Sequence, residues 1–170
     1  MMNMMPINGI SGNKTKQEEI PAFCYYWYMS AETDSRRVYD YLLQEFRSRF
    51  EWLRLSDQDI DPVYDGLATV LMDSCINTQF VEEYKKNPGA AEEWKVFFGF
   101  IEEMLQSEDS TLTETIETTI LEMLASEAYV DLESVLPYCG SKTREAIYNS
   151  IRVFYGKPER ADCLARKYDQ

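Results

Sequence analysis

Apolar side chains recur at steps of three and four residues along most of this chain, and this spacing limits its fold more than any other feature. In residues 35–55 the apolar series is Val38, Leu42, Phe46, Phe50 and Leu53. Such spacing puts side chains on one face of an α-helix about 120° wide, a normal width for a core-facing stripe. Only 7 glycines and 6 prolines occur in 170 residues, and few breakers favour long helices over a many-turned β fold. The sequence therefore predicts an all-α fold, a single irregular domain of about six to eight helices.

Breaks in this pattern divide the chain into predicted helices. They cover residues 18–29, 35–55, 62–84, 90–106, 111–126, 131–138, 141–155 and 158–168. Residues 77–84 either continue the third of these helices or form a separate one. The first helix has an alternative, because the aromatic residues 25–28 also favour a strand. Residues 1–16 are predicted to be a flexible lead, and residues 17–170 are predicted to form the single helical domain.

Capping residues, inward faces and stop signals support these boundaries. The predicted caps are Asp34 or Ser35, Asp61, Thr111 with Glu114 as a capping box, and Ser141. The side chains predicted to face inward are Val63, Leu67, Val70 and Leu71 in the third helix, and Ile147, Ile151 and Phe154 in the seventh. The Asn-Pro-Gly run at residues 87–89 and the glycine at Gly156 are the predicted stops.

The chain is acidic, and its charge is unevenly distributed. The net charge is −13; residues 61–139 hold 17 acidic and 3 basic side chains, whereas residues 140–170 hold 4 acidic and 7 basic ones. This excess argues against binding nucleic acid through its phosphates, and it indicates solubility first and a basic protein partner second. The basic side chains between residues 142 and 167 are predicted to fold against the acidic middle. A phosphate contact is the alternative for them.

The sequence lacks the residues that several kinds of catalytic and metal-binding site require. The chain has no histidine, which excludes Ser-His-Asp and Cys-His nucleophiles and histidine-ligated zinc. There is no glycine-rich phosphate loop, and the four cysteines include no close pair that could start a cysteine-only zinc site. The alternating aspartates of residues 57–61 resemble the start of a calcium loop, but Pro62 and Ala68 stand where that loop requires glycine and glutamate. We therefore expect no catalytic residues, no cofactor and no metal.

The cysteines and the apolar runs predict a compartment. The cysteines are Cys24, Cys75, Cys139 and Cys163. Their wide spacing favours reduced thiols in a cytoplasmic protein over a disulfide framework, although two long-range disulfides remain the alternative for an exported chain. The longest apolar run, residues 22–29, is far shorter than the ~20 residues of a membrane span, and no signal peptide is recognisable. We therefore expect no membrane partner.

Adjacent acidic residues recur at positions 82–83, 92–93 and 102–103. Carboxylates can hold magnesium or act as acid and base, but neighbours on a helix point about 100° apart and do not converge on one ion. A solvated acidic face is therefore the favoured interpretation. The aromatic run at residues 25–28 is interpreted as core, with a ligand cage or a partner patch as the alternatives.

The helix predicted at residues 90–106 suggests a partner surface. Its core face is formed by Trp94, Phe97, Phe98, Ile101, Met104 and Leu105. On the opposite side, Val96 and Phe100 form a second apolar pair between Glu92 and Glu103. An aromatic anchor with a polar rim is typical of interface hot spots, so these four residues are the predicted partner-binding site. Burial of the pair under another helix is the alternative.

The run Leu136-Pro137-Tyr138-Cys139-Gly140, with the helix and turn that follow it to Tyr155-Gly156, resembles the endings of small acidic all-helical immunity proteins of bacterial toxin–immunity pairs. The resemblance implies a non-enzymatic protein that neutralises a basic toxin by surface complementarity. Two alternatives stay open: a structural or regulatory adaptor that self-associates through aromatic surfaces, and an enzyme with a carboxylate-based site.

Overall fold

The computed structural model describes residues 22–56 and 60–169, with their side chains from residue 33 onward except at position 64. Every regular element within these ranges is helical, which confirms the predicted all-α class. The seven helices of the described residues are α1 (Ala22–Arg49), α2 (68–86), α3 (Ala91–Leu105), α4 (110–125), α5 (132–138), α6 (Ser141–Val153) and α7 (Pro158–Tyr168). The predicted lead, residues 1–16, and most of the calcium-like aspartate run lie outside the described residues.

One long helix, α1, replaces the two that the sequence predicts over residues 18–29 and 35–55. It contains neither glycine nor proline, so no residue between the two predicted helices breaks the backbone ladder. The strand alternative for residues 25–28 is wrong, because these residues belong to α1. Whether their aromatic rings are core or surface lies outside the described side chains.

Helix starts differ from prediction at several points. Asp34 and Ser35 lie inside α1 and therefore cap nothing. The helix α4 begins after Asp109, whose carboxylate accepts a hydrogen bond from the N–H of Leu112 at 3.2 Å. The capping box predicted at Thr111 is therefore wrong. An aspartate two residues earlier satisfies the free N–H groups first, as N-caps do.

The segment before α2 combines a confirmed cap with wrongly assigned inward residues. Asp61 accepts a hydrogen bond from the N–H of Val63 at 3.0 Å and starts a single 3-10 turn, Pro62–Tyr64. Val63 is 68% exposed and Leu67 is 46% exposed, so the prediction that they face the core is wrong. The turn is too short to continue the helical face, whereas Leu71, inside α2, is fully buried as predicted.

Aromatic rings form the centre of the core where α1, α2 and α3 meet. The buried members are Phe46, Phe50, Phe80, Tyr84, Trp94, Phe97, Phe98 and Phe100. The ring of Phe80 stacks on that of Phe97 with centroids 4.9 Å apart, and Trp94 meets Phe80 edge-on at 5.8 Å. Such pairs contribute about 0.5–1.5 kcal/mol beyond the burial of their area. The predicted apolar series from Val38 to Leu53 is buried, but α1 ends at Arg49 and not at the predicted residue 55, so Phe50 and Leu53 lie beyond the helix.

Both α2 and α4 contain a π-helical turn, Leu71–Asn77 and Glu117–Leu121 respectively, and the two turns pack against each other. In α4 the hydroxyl of Thr119 donates to the carbonyl oxygen of Thr115 at 2.6 Å. In α2 the hydroxyl of Thr78 reaches the carbonyl oxygen five residues back at 3.3 Å. Hydroxyls that bond to helix carbonyls disturb the regular ladder. π-helical turns are rare in proteins as a whole but occur often at functional sites. Their meeting point is therefore a candidate functional region.

The helix α6 begins against α3 and has no side-chain cap of its own. Glu102 of α3 accepts hydrogen bonds from the N–H of Lys142 at 2.9 Å and from the N–H and hydroxyl of Thr143 at 2.8 and 2.7 Å. Gly140 permits this approach, because a Cβ atom there would overlap the Glu102 carboxyl group. Ser141, the predicted cap, is the first helical residue instead.

The end of α6 follows the prediction only in part. Ile147 and Ile151 are buried, and Gly156 adopts a φ of 60°, a left-handed conformation suited to a stop. Phe154, however, is 62% exposed, so its predicted inward orientation is wrong. It lies beyond Val153, the last residue of α6, and no longer continues the inward face.

The basic C-terminal side chains do fold against the acidic middle at two positions. Arg160 of α7 pairs with Glu127 and with Glu133, each at 2.8 Å, and Lys167 pairs with Glu133 at 2.5 Å. These pairs link α7 to the segment between α4 and α5 through Glu127, and to α5 itself through Glu133. The predicted charge attraction is thus confirmed for these two residues.

Candidate functional site

An open cleft of about 680 Å³ lies where the two π-helical turns meet. The helices α2 and α4 supply most of its lining, and the segments that follow α4 and α6 supply the rest. Its lining includes Asp73, Asn77, Glu82, Glu122, Tyr129 and Tyr155. The π turns themselves contribute the first two of these residues and the hydroxyl groups of Thr118 and Thr119.

The cleft is acidic, and no basic side chain in its lining neutralises this charge. Its lining contains three carboxylates and no lysine or arginine. Among the described residues, Asp73, Glu82 and Glu122 form no ion pair, whereas the nearby Glu127 is paired with Arg160. The cleft therefore keeps a negative potential that a positively charged group outside the chain could neutralise.

Asn77 supplies an unusual acceptor at this cleft. Its side chain is 4% exposed, and its Nδ2 group donates to Asp73 Oδ1 at 3.0 Å. Its Oδ1 atom has no hydrogen-bond partner within the described part of the chain. A buried acceptor without a partner costs the folded protein free energy, so such groups are rare and call for an explanation.

The carboxyl group of Asp73 is in an unfavourable environment for a charge. Partial desolvation raises the pKa of Asp73, the hydrogen bond from Asn77 lowers it, and the negative charge of Glu122 raises it again. The net result is a pKa above the ordinary value. A carboxyl group whose pKa is raised by burial and by a neighbouring charge is found more often at functional sites than elsewhere.

Replacing Asp73 with asparagine should leave the free energy of unfolding at neutral pH equal to, or higher than, that of the wild type. An acid whose folded-state pKa is raised destabilises the fold while it is ionised, and this penalty disappears below the ordinary pKa of aspartate, about 3.8. Asparagine also keeps the oxygen that accepts from Asn77. Urea denaturation at neutral and at acidic pH measures the difference.

Asp109→Asn is the matched control for this prediction. The hydrogen-bonded ion pair with Arg37 lowers the pKa of Asp109, so this variant should be less stable than the wild type at neutral pH, and the difference should close as the pH falls and the wild-type carboxyl group is protonated. A loss of more than about 1 kcal/mol for Asp73→Asn would show that its carboxylate is structural and would contradict the assignment.

Two tyrosines add aromatic surface to the cleft. The hydroxyl of Tyr155 donates to the carbonyl oxygen of Glu122 at 3.3 Å, and burial raises the pKa of Tyr155, so this group stays protonated at neutral pH. Tyr129 is 56% exposed. Aromatic faces beside carboxylates suit a bound cation, because the ring face carries partial negative charge.

The arrangement can accept hydrogen bonds and positive charge. The carboxyl groups of Asp73 and Glu122 are also the smallest set that acid–base chemistry needs. Among the described residues, no group of three or more acidic or cysteine side chains could hold a metal ion.

The segment that carries this cleft matches a known family. The model described as "Domain of unknown function (DUF7674)" matches residues 39–156. The chain belongs to this family. No curated protein and no solved structure matches the chain. The DUF7674 segment begins within α1 and ends before α7, so it contains every residue that lines the cleft.

The four residues predicted from sequence as a partner site lie on α3, outside the lining of the cleft. Val96 is 58% exposed, as an interface residue would be. Glu92 pairs with Lys95 at 2.8 Å and Glu103 pairs with Arg49 at 3.4 Å, so nearby bases already neutralise both carboxylates. Contact of a partner with these three residues stays a prediction.

Phe100 is not an exposed anchor, and the expected apolar pair on α3 is therefore wrong. Its side chain is 2% exposed. The rings of Phe46 and Phe50 approach it at 5.2 and 6.1 Å, and the guanidinium of Arg49 lies 4.3 Å from its centroid. The long helix α1 covers this second face of α3 in the DUF7674 segment, which is the alternative that the sequence left open.

Sequence reasoning missed the cleft residues of the DUF7674 segment, although two signals were present. Residues 111–119 contain five threonines, a β-branched run that is unfavourable in a regular helix. Asn77 stands between buried apolar positions of α2, where a polar side chain is unexpected. Neither signal shows that the two segments meet, because that depends on helix packing.

The predictions of reduced thiols and of no membrane span can be compared with the structure of the described residues. Cys75, Cys139 and Cys163 are free thiols, and Cys24 lies outside the described side chains. No helix of residues 22–56 and 60–169 is long and apolar enough to cross a membrane. The cytoplasmic assignment itself stays a prediction.

Proposed function

We propose that the chain is a non-enzymatic binding protein that docks a basic protein at the cleft between α2 and α4. The observation that carries this proposal is a set of three carboxylates at one cleft that form no ion pair within the described part of the chain, with no basic side chain in the lining. Unpaired charge of one sign inside a concave surface attracts the opposite sign on a partner. Neutralisation of a basic toxin by an immunity protein is the specific form of this function that we propose.

The charge distribution supports the same proposal over a longer range. The chain carries a net charge of −13, and its acidic excess lies in residues 61–139, the segment that holds most of the cleft. Arg160 and Lys167, which could have compensated it, are engaged by Glu127 and Glu133. A basic partner would therefore be steered toward the cleft, and its association would slow as salt rises.

Capture from an extract of the source organism, followed by reconstitution, tests the proposal. The wild-type chain should retain a basic protein at low salt, and the purified pair should form a stoichiometric complex whose association rate falls with ionic strength. Reversing the cleft charge with Asp73→Lys and Glu122→Lys should abolish capture, whereas Glu92→Lys with Glu93→Lys on α3 should not. Retention of the same proteins by both double variants would contradict the proposal.

Self-association is a second candidate, and one observation favours it. Val153 and Phe154 are adjacent and are 74% and 62% exposed. Exposed apolar side chains side by side are a feature of interfaces. Sedimentation equilibrium distinguishes this candidate, because a dimer that dissociates on Phe154→Ser would support it and a monomer at all concentrations would reject it.

A further inference from the structure

We infer, resting on the proposed function, that the cleft between α2 and α4 receives the guanidinium group of an arginine side chain of the partner. The inference names the chemical group that the three acceptors and two aromatic rings of the cleft would recognise.

The cleft offers acceptors and lacks matching donors. The carboxylates of Asp73 and Glu122 have no cationic partner among the described residues, and the buried Oδ1 of Asn77 has no donor. Glu122 lies close enough to Asp73 for its charge to act on that carboxyl group. A guanidinium brings five N–H donors in one plane, enough to serve several acceptors at once.

The aromatic lining favours the same group. Tyr129 is 56% exposed, and Tyr155 lines the cleft beside the backbone of Glu122. A guanidinium stacks on tyrosine while its edge donates hydrogen bonds, which a compact ammonium group does less well. An anion is disfavoured, because the lining contains three carboxylates and no base.

The dimensions of the cleft allow it to receive a cation that is attached to a protein. The cleft is open and holds about 680 Å³, which is within the range of pockets for drug-sized ligands and larger than one side chain needs. The remaining space suits the backbone that carries the arginine. A partner of this kind would present the side chain from a protruding loop or helix.

A titration with small probes tests the inference on the full chain. The probes are Nα-acetyl-arginine methylamide and its citrulline counterpart, which has the same shape and no charge. Amide signals of ¹⁵N-labelled protein should shift along residues 73–82 and 118–129 with the arginine probe and stay unchanged with the citrulline probe. The lysine analogue should bind more weakly than the arginine probe. Equal shifts with arginine and citrulline, or no shift at these residues, would overturn the inference.

Matched variants connect these shifts to the cleft. Asp73→Asn with Glu122→Gln should weaken binding of the arginine probe by about tenfold or more, since charge-assisted contacts are lost. Glu117→Gln changes an acid in the π turn of α4 that does not line the cleft, so it should bind like the wild type. If the double variant is poorly folded, Glu122→Gln alone should still weaken binding severalfold. Equal binding by wild type and cleft variants would overturn the inference.

The same variants separate this inference from the proposed function. A basic partner that binds the cleft double variant as tightly as the wild type would overturn both the arginine site and docking at the cleft, and would still show that the chain binds a basic protein. Binding of the arginine probe at the cleft, with no basic protein retained from the extract, would support the cation site as one for small guanidinium compounds and reject the partner proposal.

Discussion

Replacing Phe100 with alanine should lower the free energy of unfolding by about 3–5 kcal/mol, the usual range for truncating a buried aromatic ring. Phe100 is 2% exposed and contacts the rings of Phe46 and Phe50 together with the guanidinium of Arg49. Removing the ring leaves a cavity between α1 and α3 and removes the aromatic face beneath Arg49. The expected effect is the largest for any single substitution considered for this chain.

Urea or thermal denaturation measures the loss, and Val96→Ala is the matched control. Val96 lies one turn earlier on α3 and is 58% exposed, so its truncation should change stability by no more than about 0.5 kcal/mol. Equal and small effects of the two substitutions would show that Phe100 faces solvent. That result would restore the partner surface predicted from sequence and contradict the packing of α1 on α3.

Replacing Glu102 with alanine should lower the free energy of unfolding by about 2 kcal/mol, because α6 would lose its N-terminal acceptor. The carboxylate accepts from two backbone N–H groups and from the hydroxyl of Thr143. A negative charge at a helix N-terminus also interacts favourably with the helix dipole. Gly140→Ala should act in the same direction, because its Cβ would displace this carboxyl group.

The contribution of Glu102 should depend on pH in a defined direction. Desolvation raises the pKa of Glu102, but the hydrogen bonds from Thr143 and Lys142 outweigh it and hold the pKa below its ordinary value of 4.5. A lowered folded-state pKa stabilises the fold above the ordinary pKa, and this stabilisation is lost as the pH falls through the lowered value. The gap between wild type and Glu102→Gln should therefore be full at neutral pH and close in acid.

Glu103→Ala supplies the control, because it removes an adjacent carboxylate that is 65% exposed and pairs with Arg49. Its effect should stay within about 1 kcal/mol, as for other surface ion pairs. A loss for Glu102→Ala no larger than this would contradict the capping role. A gap between wild type and Glu102→Gln that is independent of pH would contradict it as well.

The sequence predicted the fold class and most helices because both depend on local spacing. The apolar series from Val38 to Leu53 and the Asn-Pro-Gly stop at residues 87–89 are local signals, and the structure confirms both. Errors arose where a tertiary contact replaced a local one. Ser141 was predicted to cap α6, but a glutamate on α3 performs this role. Phe100 was assigned to a surface because no local signal reports that α1 covers it.

The candidate site was not predicted because it requires knowledge of which helices pack together. Asp73 and Glu122 are 49 positions apart in the sequence, and neither stands out in its own segment. They share a cleft only because the two π-helical turns meet, one containing Asp73 and the other ending just before Glu122. The acidic excess of residues 61–139 did indicate a basic partner, but composition cannot indicate where on the surface that partner would bind.

The affinity of the captured basic partner for three forms of the chain tests the central claim most directly. The forms are the wild type, Asp73→Asn with Glu122→Gln, and Glu117→Gln, measured by calorimetry at low salt. We predict that the cleft double variant binds about tenfold or more weakly, whereas Glu117→Gln, outside the cleft lining, stays within about twofold of the wild type. Equal affinity for all three forms would contradict the claim that the cleft between the π turns of α2 and α4 is the binding site.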